Sequence, residues 1–125
     1  MPDLVPDVVG RWLAARAAAD LGALSALTAP DAVWESPVHG PVEGRDGLVA
    51  QVAAAWEDTE EFGTETLALR AHGDRAAAVV RNSGRRDGRT LDSLQTLFIT
   101  VEDGLVARVR VAVDDPAAIE QFWTG

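Results

Sequence analysis

The segment DLGALSALTAPDAVWESPVHGPVEGR, residues 20–45, decides the fold that the sequence predicts. Asp20 can cap a short helix, LGALSAL, which we expect to stop before Pro30 because the residue before a proline avoids helical backbone angles. AVWES, residues 32–36, then predicts a short strand ended by Pro37, and the glycines and proline that follow indicate an irregular crossover. The segment therefore predicts a helix and a strand that lead by a crossover into a further helix.

Apolar side chains at a helical spacing flank this segment on both sides. Residues 6–19 carry them before it and residues 47–58 carry them after it, so each stretch predicts an amphipathic helix. Asp46 is the expected cap of the second helix. Near the end of the chain, Asp115 and Pro116 predict the start of a short terminal helix, with the aspartate as its cap.

The second half of the chain has the alternation of strands instead. Four segments separated by glycine-containing turns predict antiparallel strands over residues 64–71, 76–83, 91–101 and 105–113. Helices followed by hairpins are typical of an α+β protein, and a long twisted sheet must curl around helices packed on one face. We therefore predict one domain over residues 1–125. It is a cone-shaped roll of about three N-terminal helices on a curved, mostly antiparallel sheet, with a short C-terminal helix and an open end suited to a ligand.

Composition excludes several classes of function. The chain has 125 residues, no cysteine and a net charge of −9, and all of its basic residues are arginine. The lack of cysteine excludes disulfides and thiolate sites and fits a cytoplasmic location. An acidic chain is a poor partner for nucleic acid, and no apolar run approaches the roughly 20 residues that span a bilayer. The acidic N-terminus is not that of a secretory signal. His39 and His72 lie far apart in the sequence, so we expect no metal and no other cofactor.

Five stretches of the chain occur in a familiar order and spacing: RWLAARAAADLGALSAL, DAVWESP, VEGRDGL, VEDGLVARVRV and DDPAAIEQFW. Together they resemble the nuclear transport factor 2-like superfamily, and within it the SnoaL-like polyketide cyclases and ketosteroid isomerases. The resemblance implies a cone-shaped α+β roll that forms a homodimer through the outer face of its sheet. Because the superfamily includes isomerases, cyclases, dehydratases, epoxide hydrolases and proteins without catalysis, the fold does not decide the function.

The resemblance also implies that the acid–base groups of ketosteroid isomerases are absent here. Their general-base aspartate falls on Ser36, and their oxyanion tyrosine falls on Trp12, whose indole still donates an N–H. Their second oxyanion acid falls on Leu97, or on Thr96 if the register is shifted by one residue. All three roles are altered, so steroid isomerisation by that mechanism is not expected.

Comparison with two further groups in the superfamily leads to the same expectation. The arginine and aspartate of limonene epoxide hydrolases fall near residues 80–82, Val-Arg-Asn, and their other aspartate falls on Val111. SnoaL-like cyclases use an acidic group or a histidine on a late strand, and no clear inward-facing equivalent is identified in this chain. The resemblance thus implies a ligand pocket without naming its reaction.

Three polar side chains are the candidate catalytic groups. His39, near the predicted pocket mouth, could act as an acid or a base because its pKa lies near neutrality, or it could simply be a loop histidine bonded to the backbone. Arg16 lies one helical turn from Trp12 on the face expected to be inward, where it would need an anionic partner such as a substrate carboxylate or enolate. A small register error would instead leave it solvated. Asn82 lies on the apolar face of its strand, where it either binds a ligand or satisfies a neighbour.

A second set of residues is expected to line the pocket. Polar side chains share the apolar face of the strand next to Asn82, and tryptophans come from the first helix, the first strand and the third helix. These tryptophans either clamp a flat ligand or fill the core, and Trp123 is expected to pack the terminal helix. The predicted ligand-binding residues are Trp12, Trp34, Ser36, Trp56, Ser93, Gln95, Leu97 and Val111.

Two functions from different classes fit this pattern. The first is an enzyme of secondary metabolism, a SnoaL-like cyclase or isomerase acting on an apolar polyketide-like or polycyclic substrate, because a few well-placed polar groups can catalyse by positioning. The alternative is a non-catalytic dimeric protein that binds a small hydrophobic ligand. Leu94 and Phe98 on the outer sheet face suit a homodimer contact, and the arginines of residues 81–89 are expected to form a solvated hairpin turn.

Overall fold

Helices come first and a single sheet follows in the structure, a computed structural model that describes residues 4–37 and 40–124. The elements in chain order are α1 (Leu4–Ala17), α2 (Leu21–Ala26), β1 (Thr28–Glu35), β2 (Val42–Glu43), α3 (Arg45–Asp58), β3 (Glu60–His72), β4 (Arg75–Arg86), β5 (Arg89–Glu102), β6 (Leu105–Val113) and α4 (Pro116–Thr124). The six strands form one open, curved sheet in the order β2-β1-β6-β5-β4-β3. Its neighbouring strands are antiparallel except for β1 and β6, which are parallel. The predicted α+β architecture is confirmed.

The corner between α1 and α2 turns the chain back on itself so that both helices cover the sheet. Ala19 has a left-handed φ of 54°. The amides of Ala19 and Asp20 donate to the carbonyls of Arg16 and Ala15, at 3.3 and 2.9 Å. This is the Schellman arrangement that satisfies the last carbonyls of a helix. Asp20 then caps α2 as predicted, because its carboxylate accepts a hydrogen bond from the amide of Ala23 at 3.1 Å.

Strand β1 is longer than predicted because it joins the sheet beside β6. It begins at Thr28, before Pro30, although the sequence indicates a strand only from residue 32. The parallel register shifts between Thr28 and Val33, and such an irregularity is where a sheet tolerates a proline. The crossover predicted to be irregular contains the short strand β2, which pairs Val42 with Trp34.

The start of α3 corrects a second prediction. Gly44, not Asp46, is the residue that caps this helix, and no side chain accepts a hydrogen bond there. The amide of Gly44 donates to the carbonyl of Ala32 at 2.7 Å, which ties the helix start to β1. Gly44 has a φ of 88°, a backbone conformation that glycine adopts without the strain other residues meet. Asp46 lies in the first turn, where its charge still favours the helix N-terminus.

The core lies between the helices and one face of the sheet, which we call the inner face. Alternate residues of the three central strands are buried there: Ala78, Val80, Leu97, Ile99, Val106, Val109 and Val111. The helices add Val9, Trp12, Leu13, Leu24 and Leu48. The opposite, outer face exposes Leu67, Leu94 and Phe98. None of the described helices is long and apolar enough to cross a membrane.

Arginines of the β4–β5 hairpin hold the end of α4 in place. Arg86 donates to the backbone carbonyl of Trp123, and Arg89 donates to the carbonyl of Phe122 at 3.3 Å. Cations near a helix C-terminus bind its last carbonyls favourably. The expected solvated turn is therefore wrong for these two arginines, because both are partly buried against α4.

Candidate functional site

A cavity of about 360 Å³ lies between the helices and the inner face of the sheet. Every helix and every strand contributes at least one side chain to its wall. The volume falls in the range of about 300–1,000 Å³ that is usual for small-molecule sites. Three tryptophans that could have filled the cone, Trp12, Trp34 and Trp56, instead form part of the wall of an open space.

The cavity brings together most of the residues that the sequence predicts for a site. Its wall includes Trp12, Arg16, Trp34, Ser36, Trp56, Asn82, Gln95 and Val111. Ser93 and Leu97 lie outside the wall, although both are buried on the inner face. His39 falls outside the described residues, so its role stays a prediction.

Arg16 lies in the last turn of α1 and is buried, with 8% of its surface exposed. The inward orientation follows from the helical spacing that puts it on the same face as Trp12. Its guanidinium carbon lies 5.5 Å from the centre of the Trp34 ring. Among the described residues, Nη1 finds no hydrogen-bond partner. Burial lowers the pKa of Arg16 from its ordinary value to about 10, so the side chain remains a cation at neutral pH.

Five other buried polar atoms also lack a hydrogen-bond partner within the described residues: Trp34 Nε1, Arg45 Nε, Thr59 Oγ1, Asn82 Oδ1 and Ser93 Oγ. Asn82 and Ser93 lie directly opposite each other on β4 and β5, yet these two oxygens bond neither each other nor another described group. Unpaired buried polar atoms are uncommon in folded proteins, and each one needs a reason. Of these residues, Trp34 and Asn82 form part of the cavity wall.

The indoles of Trp12 and Trp56 are occupied by the protein itself. Trp12 Nε1 donates to the hydroxyl of Thr28 at 3.0 Å, and that hydroxyl donates to the carbonyl of Leu24 at 2.7 Å. Trp56 Nε1 donates to the carbonyl of Arg16 at 3.2 Å. The expectation that Trp12 retains an N–H for an oxyanion is therefore wrong, because its donor holds β1 and α2 in place.

Asp58 is a cavity residue that sequence reasoning missed. It ends α3 and is the one carboxylate among the described residues of the wall. The available signal was the helical spacing, because Gln51, Ala55 and Asp58 follow one another at intervals of a turn and all three line the cavity. Asp58 was not predicted to line the cavity because the inward face of a helix is recognised by its apolar residues, and Asp58 is acidic.

The terminal helix α4 forms a further part of the wall that the sequence did not assign to the site. Ile119 and Trp123, one helical turn apart, both line the cavity, so the expectation that Trp123 only packs the tail is incomplete. The guanidinium of Arg86 lies 5.9 Å from the centre of the Trp123 ring. The β4–β5 hairpin thus fixes the aromatic wall that α4 supplies.

A model of the SnoaL-like domain matches residues 9–109 of the chain. The chain belongs to the SnoaL-like family, within the nuclear transport factor 2-like superfamily. An uncharacterized protein of Mycobacterium tuberculosis is 34% identical over 124 residues, which cover 94% of each chain.

Solved structures share the fold of this SnoaL-like domain. Bal32a, from a soil-derived mobile gene cassette, is 26% identical over 96% of each chain, with a TM-score of 0.89. A putative polyketide cyclase from Sinorhizobium meliloti is 30% identical over 86% of this chain and 94% of that chain, with a TM-score of 0.73. A putative SnoaL-like polyketide cyclase from Jannaschia sp. is 18% identical over 98% of this chain and 93% of that chain, with a TM-score of 0.81.

The strand registers decide where the acids of related enzymes would stand in this SnoaL-like domain. Leu97 lies fully buried on the inner face of β5, and Thr96, the other residue considered for the second acid, points to the opposite face by the alternation of the strand. Ser36 and Val111 line the cavity without offering a carboxylate. Within the described residues, no group of histidine, aspartate and glutamate side chains is arranged to hold a metal ion.

Proposed function

We propose that this SnoaL-like domain is a small-molecule enzyme of secondary metabolism, a cyclase or isomerase that acts on an apolar, polyketide-like or polycyclic substrate. The observation that carries the proposal is an apolar cavity whose wall holds buried polar atoms, Trp34 Nε1 and Asn82 Oδ1, with no partner among the described residues. Leaving such an atom unpaired costs about 1–3 kcal/mol, which a bonded substrate can recover. Similarity to the putative cyclase of Sinorhizobium meliloti supports the same reaction class.

The chemistry that this wall supports is enolisation of a substrate carbonyl. A base removes a proton from the carbon beside the carbonyl, and the oxygen that becomes negative accepts a hydrogen bond from Trp34 Nε1. The enolate carbon then takes a proton at another position, which is isomerisation, or attacks a second carbonyl carbon, which closes a ring and leaves its oxygen to be protonated. Asp58 and His39 are the candidate bases, and the cation of Arg16 favours the negative charge.

Proton exchange tests this proposal without knowledge of the natural substrate. Aromatic 1,3-diketones are incubated with the protein in D₂O, and deuterium incorporation between the carbonyls is followed by nuclear magnetic resonance. We expect the wild type to accelerate exchange over buffer and Asp58→Asn to reduce it by roughly 10²-fold or more, the usual contribution of a general base. Glu57→Gln is the matched control, because this neighbour on α3 is exposed and lies outside the cavity wall.

A binding protein without catalysis is the alternative, and the absence of an acid at Ser36 and Leu97 favours it. Diketones that bind in the cavity without any acceleration of exchange would support this alternative and contradict the enzyme. Exchange that is equally fast in wild type and in Asp58→Asn would remove Asp58 from the mechanism and direct attention to His39.

We also propose that two copies of the domain associate through the outer sheet face. Leu67, Leu94 and Phe98 expose 50%, 46% and 44% of their surface there, which is unusual for large apolar side chains on one face. Phe98→Glu should convert a dimer to a monomer in light-scattering measurements because it places a charge in an apolar contact. Arg11→Glu, on the exposed side of α1, is the control that should stay dimeric. A monomeric wild type would contradict the proposal.

A further inference from the structure

Arg16 is the one buried arginine among the described residues, and its charge has no carboxylate partner there. Six of the others lie within 3.9 Å of a carboxylate, and all six are more exposed than Arg16. Arg16 forms no ion pair with any described residue, and burial alone accounts for its lowered pKa. The chain has 20 acidic residues and a net charge of −9, so carboxylates are abundant. Among the described residues of the cavity wall, Arg16 is the one cation, and it has no carboxylate partner there.

The protein compensates this charge only in part. The face of Trp34 lies beneath the guanidinium at 5.5 Å, and a cation over an aromatic ring is attracted by the ring's negative face. The C-terminus of α1 also carries partial negative charge close to Arg16. Neither contact gives Nη1 a hydrogen bond, so this buried donor is unpaired within the described residues. A flat guanidinium with an open donor is suited to an oxygen anion more than to any neutral group.

We infer that the ligand of this cavity is an acid: an apolar, flat compound whose carboxylate, ionised enol or phenolate accepts a hydrogen bond from Arg16 Nη1. The inference rests on the proposed small-molecule function of the cavity, and it adds that the ligand is already anionic when it binds. Asn82 Oδ1 offers an acceptor on the same wall, so a hydroxyl elsewhere on the compound completes the match. The aromatic wall of Trp34, Trp56 and Phe62 accounts for the flat, apolar frame.

Paired ligands that differ only in charge test the inference. Isothermal titration calorimetry compares 2-naphthoate with 2-naphthamide, which has the same shape and no charge, and repeats the comparison for further aromatic acid and amide pairs. We expect the acid to bind the wild type roughly 10- to 100-fold more tightly than its amide, the size of one hydrogen bond to a charged group. Arg16→Met should remove this preference by weakening the binding of the acid much more than that of the amide.

Two further variants keep the test decisive. Arg16→Gln retains hydrogen-bond donors without the charge and replaces Arg16→Met if that variant does not fold; it should also lose the preference for acids. Arg11→Met is the matched control, because Arg11 lies on the exposed side of the same helix and pairs with Asp7, and it should keep the preference.

The pH dependence separates the kinds of acid. Arg16 stays protonated below its pKa of about 10, so its own charge does not change between pH 6 and pH 9. A carboxylate, with a pKa of about 4, should bind equally well across that range. A phenol, which ionises near pH 10 as tyrosine does, should bind more tightly as the pH rises.

The outcomes distinguish this inference from the proposed function. Equal affinity for acids and amides in the wild type would overturn the anionic ligand and leave the apolar cavity standing. A preference for acids that survives Arg16→Met and Arg16→Gln would overturn the assignment to Arg16. Failure of every acid and every amide to bind would contradict both proposals.

Discussion

The two faces of strands β4 and β5 differ in whether their polar side chains are paired by hydrogen bonds. On the outer face, Arg81 donates two hydrogen bonds to Asp92, at 2.8 and 2.7 Å, although both side chains are about half exposed. On the inner face, one residue further along each strand, Asn82 and Ser93 are buried and keep an oxygen unpaired. A pair of polar side chains contributes little to stability at the surface, whereas an unpaired polar atom costs most in the interior. Stability alone would therefore favour pairing on the inner face, which is the opposite of what these two strands show. This difference is what we expect if Asn82, which lines the cavity, binds a ligand as proposed.

The largest difference between the faces should come from removing an apolar side chain. Trp12 is 1% exposed and bonded to Thr28, so Trp12→Ala should destabilise the fold by about 3–5 kcal/mol. Leu67→Ala, on the outer face, should change stability by less than about 0.5 kcal/mol if the protein is monomeric during the measurement. Urea unfolding of both variants at low concentration checks this, and similar losses for the two would contradict the placement of the core.

Removal of the buried cation should stabilise the ligand-free protein. Burial lowers the pKa of Arg16 from its ordinary value to about 10, which corresponds to a cost of roughly 3 kcal/mol for the charged form. Arg16→Met should therefore raise the free energy of unfolding by about 1–3 kcal/mol, because an apolar side chain of similar length fills the same space. A large loss of stability would show that the protein itself pairs the charge.

The difference in the free energy of unfolding between Arg16→Met and the wild type should change with pH in one direction only. Below pH 10 both folded and unfolded states carry the charge of Arg16, so the stability difference between variant and wild type should be constant from pH 6 to pH 9. Between the folded pKa of about 10 and the higher pKa of the unfolded state, the unfolded state binds more protons, and Arg16 makes wild-type stability rise with pH. The difference should shrink there, and growth of the difference would contradict burial as the cause.

Replacing the residues that carry the unpaired inner oxygens, Asn82 and Ser93, should lower ligand affinity without lowering stability. The double variant Asn82→Leu with Ser93→Val removes both oxygens without leaving a single unpaired partner, so the free energy of unfolding should stay level or rise by about 1 kcal/mol. Ligand affinity should fall in the same variant because Asn82 lines the cavity. Chemical unfolding and calorimetric titration of one preparation measure stability and affinity. A destabilised variant with unchanged affinity would show that these oxygens stabilise the fold and do not bind the ligand.

The smallest effect is expected at the outer pair. Arg81→Ala should leave the fold nearly unchanged at neutral pH, because exposed ion pairs contribute little and are screened by salt. The hydrogen bond from Arg81 lowers the pKa of Asp92, so any contribution is present above the unfolded pKa and is lost as the pH falls through the lower folded value. Acid unfolding of wild type and Arg81→Ala should differ only in that acidic range.

Much of this molecule could be predicted from local sequence, and the failures have physical causes. Strand β6 has its predicted bounds because its apolar and charged residues alternate, and Asp20 caps α2 because capping is a local interaction. The cap of α3 was assigned to Asp46 in error, since Gly44 gains a backbone bond to Ala32 that only the folded sheet provides.

In the candidate site too, local sequence patterns predicted which residues face inward but not the contacts between distant elements. Helical spacing and strand alternation placed Arg16 and Asn82 toward the interior, where the structure has them. The bond from Trp12 to Thr28 was not predictable, because it joins residues from elements whose packing distance the sequence does not give. Trp123 reaches the cavity only because distant arginines of the β4–β5 hairpin hold α4.

The most direct test that the cavity binds an acid through Arg16 is a crystal structure of the protein with the tightest-binding aromatic acid. We expect the compound in the cavity, with an acid oxygen about 2.7–3.0 Å from Arg16 Nη1. We further expect the flat frame of the compound against the aromatic wall that includes Trp34. A compound bound with its acid group in solvent, or a cavity that stays empty while the acid binds the outer face of the sheet, would contradict this prediction.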